Sequence, residues 1–94
     1  MTNVDAVIVH EMTTLARNGA TPAQIMRTLV GRLSPADTHT VNLIRYARAA
    51  FGLSLAQAKP IAGWAPNGSG ELKDARLDEL LTADILANRD HWAP

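Results

Sequence analysis

Thr21-Pro22-Ala23-Gln24-Ile25-Met26-Arg27-Thr28-Leu29-Val30-Gly31-Arg32-Leu33 is the stretch that decides the fold. Threonine is a good N-cap, its oxygen accepting from the N–H groups orphaned in a first helical turn. Proline follows where its missing N–H costs nothing, and Gln24 completes a capping box. The apolar residues Ile25, Met26, Leu29, Val30 and Leu33 then recur every three or four places, as one buried helix face requires. Working outward, Ser34-Pro35-Ala36-Asp37 and Ser54-Leu55-Ala56-Gln57 repeat the same start signal. The matching faces are Val4, Val7, Ile8, Met12 and Leu15 before it, and Val41, Ile44, Ala47 and Phe51 after it. Leu77, Leu80, Leu81 and Ile85 form the last. No stretch alternates with period two for more than a few residues, and aromatic residues are 4% of the chain, so the vocabulary of strands is missing. The fold class is all-α, a compact bundle of about five short helices.

The stops are as legible as the starts. Asn18-Gly19 and Gly52 end the first and third helices, because glycine adopts the left-handed C′ conformation freely. Pro60 lies six residues beyond Ser54 and makes the fourth helix very short or kinked. Gly63-Trp64-Ala65-Pro66-Asn67-Gly68-Ser69-Gly70 is a Gly/Pro-rich loop before the last helix, with a positive-φ turn at Asn67-Gly68 and an N-cap at Asp74. After Asn88 the periodicity ends and a frayed tail is expected. A shift of thirty-three places sets Gly19, Thr21, Ala23 and Gln24 against Gly52, Ser54, Ala56 and Gln57. Two packed helix–turn–helix units would account for this echo, and so would shared capping rules.

With 94 residues, the chain is read as one domain, residues 1–94, with an expected radius of gyration of about 12 Å. It has no cysteine, which removes disulfides, thiolate-held metals and thiol nucleophiles. No apolar run approaches a membrane span, and Met1-Thr2-Asn3-Val4-Asp5 has no basic n-region, so a cytoplasmic protein without a signal peptide is expected. His10, His39 and His91 fall on three separate elements with no ligand spacing, Ser34 and Ser54 are caps, and the glycine loop lacks a phosphate-binding lysine. Catalytic residues, a metal and a cofactor are therefore not expected.

Nine basic and nine acidic side chains cancel, which argues against a domain that works by gripping phosphates. The neutral total conceals a gradient. Residues 1–60 carry Arg17, Arg27, Arg32, Arg45, Arg48 and Lys59 against Asp5, Glu11 and Asp37. Residues 61–94 carry Lys73, Arg76 and Arg89 against Glu71, Asp74, Asp78, Glu79, Asp84 and Asp90. An acidic ridge beside a tryptophan suits a basic protein partner, with Trp64, Glu71, Asp78 and Glu79 as candidate contacts. Following a short helix, Trp64 also reads as a cap on the core, the commoner role for a tryptophan so placed. Arg45 and Arg48 on one helix face, with Arg27 and Arg32, carry the alternative of a nucleic-acid-binding helix–turn–helix.

Two resemblances converge on the middle of the chain. Leu43 to Lys59, with its Gly-Leu-x-Leu and Ala-Lys, is similar to the helix–turn–helix of the ribosomal stalk protein's C-terminal domain, which implies an adaptor for a translation factor. Pro60 and the Gly63 loop depart from that pattern, since the stalk domain continues into strands. Phe51 to Leu81 resembles a group of small bacterial proteins through Leu53-Ser54-Leu55, Ala58-Lys59-Pro60-Ile61, Gly63-Trp64, Asn67-Gly68 and Gly70-Glu71-Leu72. That second resemblance implies an immunity protein of a contact-dependent growth inhibition system. Such a protein is expected to be no enzyme and to neutralise a basic toxin domain of the nuclease type by forming a tight complex.

Overall fold

A computed structural model describes residues 4–93. It is an all-α bundle: α1 (Ala6–Arg17), α2 (Pro22–Arg32), α3 (Thr40–Phe51), α4 (Leu55–Ala58), α5 (Asp74–Ala87) and α6 (Arg89–Trp92), with 3₁₀ turns at Pro35–Asp37 and Lys59–Gly63. The radius of gyration is 11.9 Å. α2 packs on both α1 and α5, α3 lies across α1, and the Lys59–Gly63 turn closes under α3. Met12, Ile25, Met26, Leu29, Phe51, Ile61, Leu77 and Leu81 form the fully buried centre.

Both capping boxes close as the sequence requires. The Thr21 hydroxyl accepts from the Gln24 N–H while the Gln24 side chain accepts from the Thr21 N–H, and Ser54 and Gln57 repeat the exchange. The helices that follow are unequal. α2 runs for 11 residues and α4 for 4, because Pro60 ends the α-helical ladder and the chain tightens into a 3₁₀ turn. The thirty-three-residue echo thus extends to the caps and not to the helices they start.

Three boundaries depart from expectation. Ser34-Pro35-Ala36-Asp37 starts a single 3₁₀ turn, in which Ser34 donates its hydroxyl to Asp37. The helix proper begins at Thr40, capped by His39, whose Nδ1 accepts from the Asn42 N–H at 3.3 Å. Asn42 in turn donates to the Asp37 carbonyl at 2.7 Å and pins the break. Second, Asp74 is the first residue of α5 and not its cap, since its carboxylate faces other donors. Third, the tail after Asn88 is folded. α6 returns Trp92 to the core at 9% exposure, with its indole N–H donating to the Ile85 carbonyl at 2.8 Å and its ring edge-on to Phe51.

Two helix faces keep their predicted period but change phase. α3 buries Leu43, Tyr46, Ala47, Ala50 and Phe51, leaving Ile44 half-buried and Val41 64% exposed. In α1 the stripe runs Ile8, Met12, Leu15, and Val7, about 100° round the helix from Ile8, stands 76% exposed. The Tyr46 hydroxyl fixes this corner by accepting from the Asp5 N–H.

The α5–α6 corner closes the C-terminal end of α3. Asn88 donates to the carbonyls of Phe51 and Gly52, and His91 Nε2 lies 3.2 Å from the carbonyl of Ala49. These are the acceptors a helix terminus leaves without partners. Gly52 is required twice over: its φ is +65°, and a Cβ there would come within 2.8 Å of the His91 ring.

Candidate protein-binding surface

The four sequence candidates divide into two pairs. Trp64 is 5% exposed, so it is part of the core. It follows the Lys59–Gly63 turn directly, and its indole N–H donates to Asp74 at 2.9 Å. Asp78 projects from α5 toward the start of α2, where its carboxylate accepts from the Ala23 N–H at 2.8 Å. That bond satisfies a first-turn donor that Thr21 does not reach. Glu71 and Glu79 are exposed, Glu71 on the loop and Glu79 on α5 beside Arg76 at 2.8 Å. The structure therefore leaves two of the four side chains at the surface and holds the other two within the fold.

Arg27 is the residue around which the loop is organised. From α2 it donates to both carboxylate oxygens of Asp74, at 2.6 and 3.1 Å, and to the Pro66 carbonyl, while its guanidinium lies 5.5 Å from the centre of the Trp64 ring. The bidentate pair and the stacked ring use the planar fork that only arginine has. Arg27, and after it the Trp64 indole N–H, hold the Asp74 carboxyl below the usual carboxylate range, and Asp74 in turn raises Arg27. The loop also closes on itself. The Leu72 N–H donates to the Gly63 carbonyl at 2.8 Å, Lys73 donates to the Gly68 carbonyl, and Gly68 has the positive φ expected of the turn. Gly70 passes so near Gly63 that a Cβ would meet its carbonyl oxygen at 2.5 Å. The segment with the most distinctive composition is thus a closed structural clasp.

Sequence reasoning missed Arg27 as the clasp because its partners lie 39 and 47 residues away, and no local pattern announces them. Arg32 likewise pairs with Glu11 at 2.8 Å, so both arginines of α2 are engaged with acidic partners.

Toward the C-terminal end of α5 the surface is open. A groove of about 230 Å³ runs between the α1–α2 corner and the α5–α6 corner, lined among others by Ala16, Ala20, Ile25, Thr82, Leu86 and Trp92. It exists because Ala16, Gly19 and Ala20 are too small to fill the space opposite α5. Leu86 borders it at 54% exposure. The available signal was that Leu86 falls off the Leu77-Leu81-Ile85 stripe, and an unassigned leucine on a short helix is a weak one.

Among the described residues no buried side-chain nitrogen or oxygen is without a hydrogen-bond partner, no three His, Asp or Glu side chains gather as a metal site, and no helix is long and apolar enough to cross a membrane. Compared with protein-family models, curated proteins and solved structures, the chain finds no match in any of the three.

Proposed function

We propose that this chain is a non-catalytic protein-binding domain that neutralises a basic partner, the partner being a toxin domain of the nuclease type implied by its resemblance to bacterial immunity proteins. The observation that carries the reading is the charge of the two C-terminal helices. α5 and α6 hold Asp74, Asp78, Glu79, Asp84 and Asp90 against Arg76 and Arg89, a net charge of −3. A nuclease groove is positive because it holds phosphates, so a local negative field on a rigid helix can steer into it although the whole chain is neutral. Neutralisation needs only about 800 Å² from one partner, a modest share of the 5420 Å² surface here.

Of the first four candidates, Glu71 and Glu79 are the ones available to make such contacts. Trp64 serves as support for the loop and Asp78 as support for α2. The geometry of α4 weighs against one form of the nucleic-acid alternative, an α3–α4 helix–turn–helix with α4 as its recognition helix. A four-residue helix is about 6 Å long, too short to read a major groove as a recognition helix does.

The test is whether a toxin domain is encoded beside this chain's own gene, followed by co-expression of the two. Growth is expected to be restored, with a 1:1 complex that survives gel filtration. Glu71→Lys with Glu79→Lys is expected to slow association at low salt and leave folding unchanged. Full protection by the double variant, at an unchanged rate, would remove the acidic face from the proposal. Binding of duplex DNA by the chain alone, lost in Arg45→Glu with Arg48→Glu, would replace it by the nucleic-acid reading.

A further inference from the structure

The chain has two Asn-Gly pairs, Asn18-Gly19 and Asn67-Gly68, which the sequence alone does not tell apart. In such a pair the amide nitrogen of the glycine can attack the asparagine side chain, since glycine has no Cβ to obstruct the approach. Both asparagines are exposed. Both glycines have a positive φ, +86° and +81°, with open space where a Cβ would stand. Both also donate their N–H to a carbonyl three residues back at 3.1 Å, Gly19 to Ala16 and Gly68 to Ala65. The nucleophile is held alike in the two places.

The surroundings of the electrophile differ. Asn67 folds its side chain over the loop as an Asx turn, its Oδ1 accepting from the Ser69 N–H at 3.0 Å. That donor lies where negative charge gathers on Oδ1 as Cγ is attacked, so it stabilises the tetrahedral species more than the amide. The Lys73 ammonium donates to the Gly68 carbonyl, and a cation this close favours the amide anion that must form. Asn18 has neither aid. Among the described residues no donor bonds its side chain, and Arg17 beside it turns back to the Thr14 hydroxyl. Asn18 also caps the C-terminal end of α1, where the macrodipole presents negative charge and opposes an anion.

We propose that Asn67 is a modification site, deamidated without an enzyme through a cyclic imide closed by Gly68, with the Ser69 N–H and Lys73 promoting the step, while Asn18 stays amidated far longer. The Gly68 nitrogen gives up its proton to a solvent base and bonds to Cγ of Asn67. The Cγ–Nδ2 bond then breaks, and Nδ2 takes a proton back from solvent and leaves as ammonia. Water opens the ring: cleavage at Cγ leaves aspartate, and cleavage at the Asn67 main-chain carbonyl leaves isoaspartate. Either product adds a carboxylate to the loop four residues before Glu71 and gives the neutral chain one net negative charge. Isoaspartate also lengthens the backbone by one atom between the Pro66 carbonyl that Arg27 holds and the Gly68 carbonyl that Lys73 holds. The step needs no partner, so it proceeds in every copy with time.

Ageing the intact chain tests it. The purified protein is incubated in mildly alkaline buffer, once folded and once in denaturing urea. Samples taken over time are digested and mapped by mass spectrometry, and isoaspartate is read by labelling with a protein isoaspartate methyltransferase. In the folded chain Asn67 is expected to convert about tenfold faster than Asn18 or more, part of the roughly hundredfold that one well-placed oxyanion donor supplies. In urea the two rates should approach each other, because turn, ammonium and macrodipole are gone. Ser69→Pro removes the donor and Lys73→Gln the charge, and each should slow Asn67 and leave Asn18 as it was. The Trp64 indole N–H resonance reports whether the clasp stays closed, and should it open in Ser69→Pro, Lys73→Gln decides. Asn67→Gln should abolish the isoaspartate signal from the loop.

Equal conversion of the two asparagines in the folded chain would overturn the proposal. So would a preference for Asn67 that survives in urea, since it would belong to the local sequence and not to the fold. An Asn67 that stays amidated in the folded chain and converts in urea would show that the turn protects the amide, the opposite of what is proposed. An Asn67 rate unchanged by Lys73→Gln and by Ser69→Pro with its clasp closed would overturn the promotion assigned to those two groups.

Discussion

The two ends of α5 differ in how completely they are used. On the loop side, Trp64, Asp74, Arg27 and the Pro66 carbonyl bind one another, and Gly63 and Gly70 pass at van der Waals limits. At the C-terminal end small residues leave a hollow and Leu86 stands partly in water. The side with the conspicuous residues is closed, and the side made of alanine, threonine and leucine is open. Unusual composition marks a segment that needs special geometry, and that geometry serves folding as readily as binding. An available surface is recognised by what is left uncovered.

The largest effect that probes this contrast comes from the two tryptophans. Trp64→Ala should lower stability by about 3–5 kcal/mol, since it removes a buried ring and its bond to Asp74 together. Trp92 already borders two hollows, so Trp92→Ala should cost about 3 kcal/mol, the bottom of that range. Urea midpoints measure both. A larger loss at Trp92 would show that the α6 end is the tighter of the two.

The clasp on the loop side should also be sensitive to pH. Asp74 is held below its ordinary range, so the stability it adds is complete above the unfolded carboxylate value of about 4. That contribution is lost as pH falls through the lower, native value. Asp74→Asn should be less stable than the parent at neutral pH by less than either tryptophan change, and the difference should shrink in acid. Thermal scans from neutral to acid pH read it directly, and a gap that widened in acid would mean that Asp74 is not the charged member of the clasp.

The smallest effect sharpens the comparison from the open side. Leu86→Ser should change stability by no more than about 0.5 kcal/mol, as an exposed surface substitution does. A large drop in the urea midpoint would place Leu86 in the core.

How much of this was legible follows the range of the interactions. Thr21-Pro22-Ala23-Gln24 and Ser54-Leu55-Ala56-Gln57 specify their caps within four residues, and Gly52 and Pro60 their breaks within one, so those features were visible in the chain itself. The helical period was visible too. Its phase in α3 was not, because Val41-Ile44 and Leu43-Tyr46 are both reasonable stripes, and only contact with α1, α2 and the Lys59–Gly63 turn chooses between them. The apparent cap at Asp74 failed for the same reason: a carboxylate that can accept from its own first turn accepts instead from Arg27 and Trp64 once the fold brings them near.

By itself, then, the sequence determined the all-α class, the three glycine and proline breaks, both capping boxes and the acidic end of the chain. These depend on backbone sterics and on hydrogen bonds that close within one turn. The tertiary structure alone decided that Trp64 and Asp78 belong to the fold, that the tail returns as α6, and that a groove stays open beside Leu86. Each of those is a relation between residues tens of positions apart, and which side chain meets which is settled by how the helices pack.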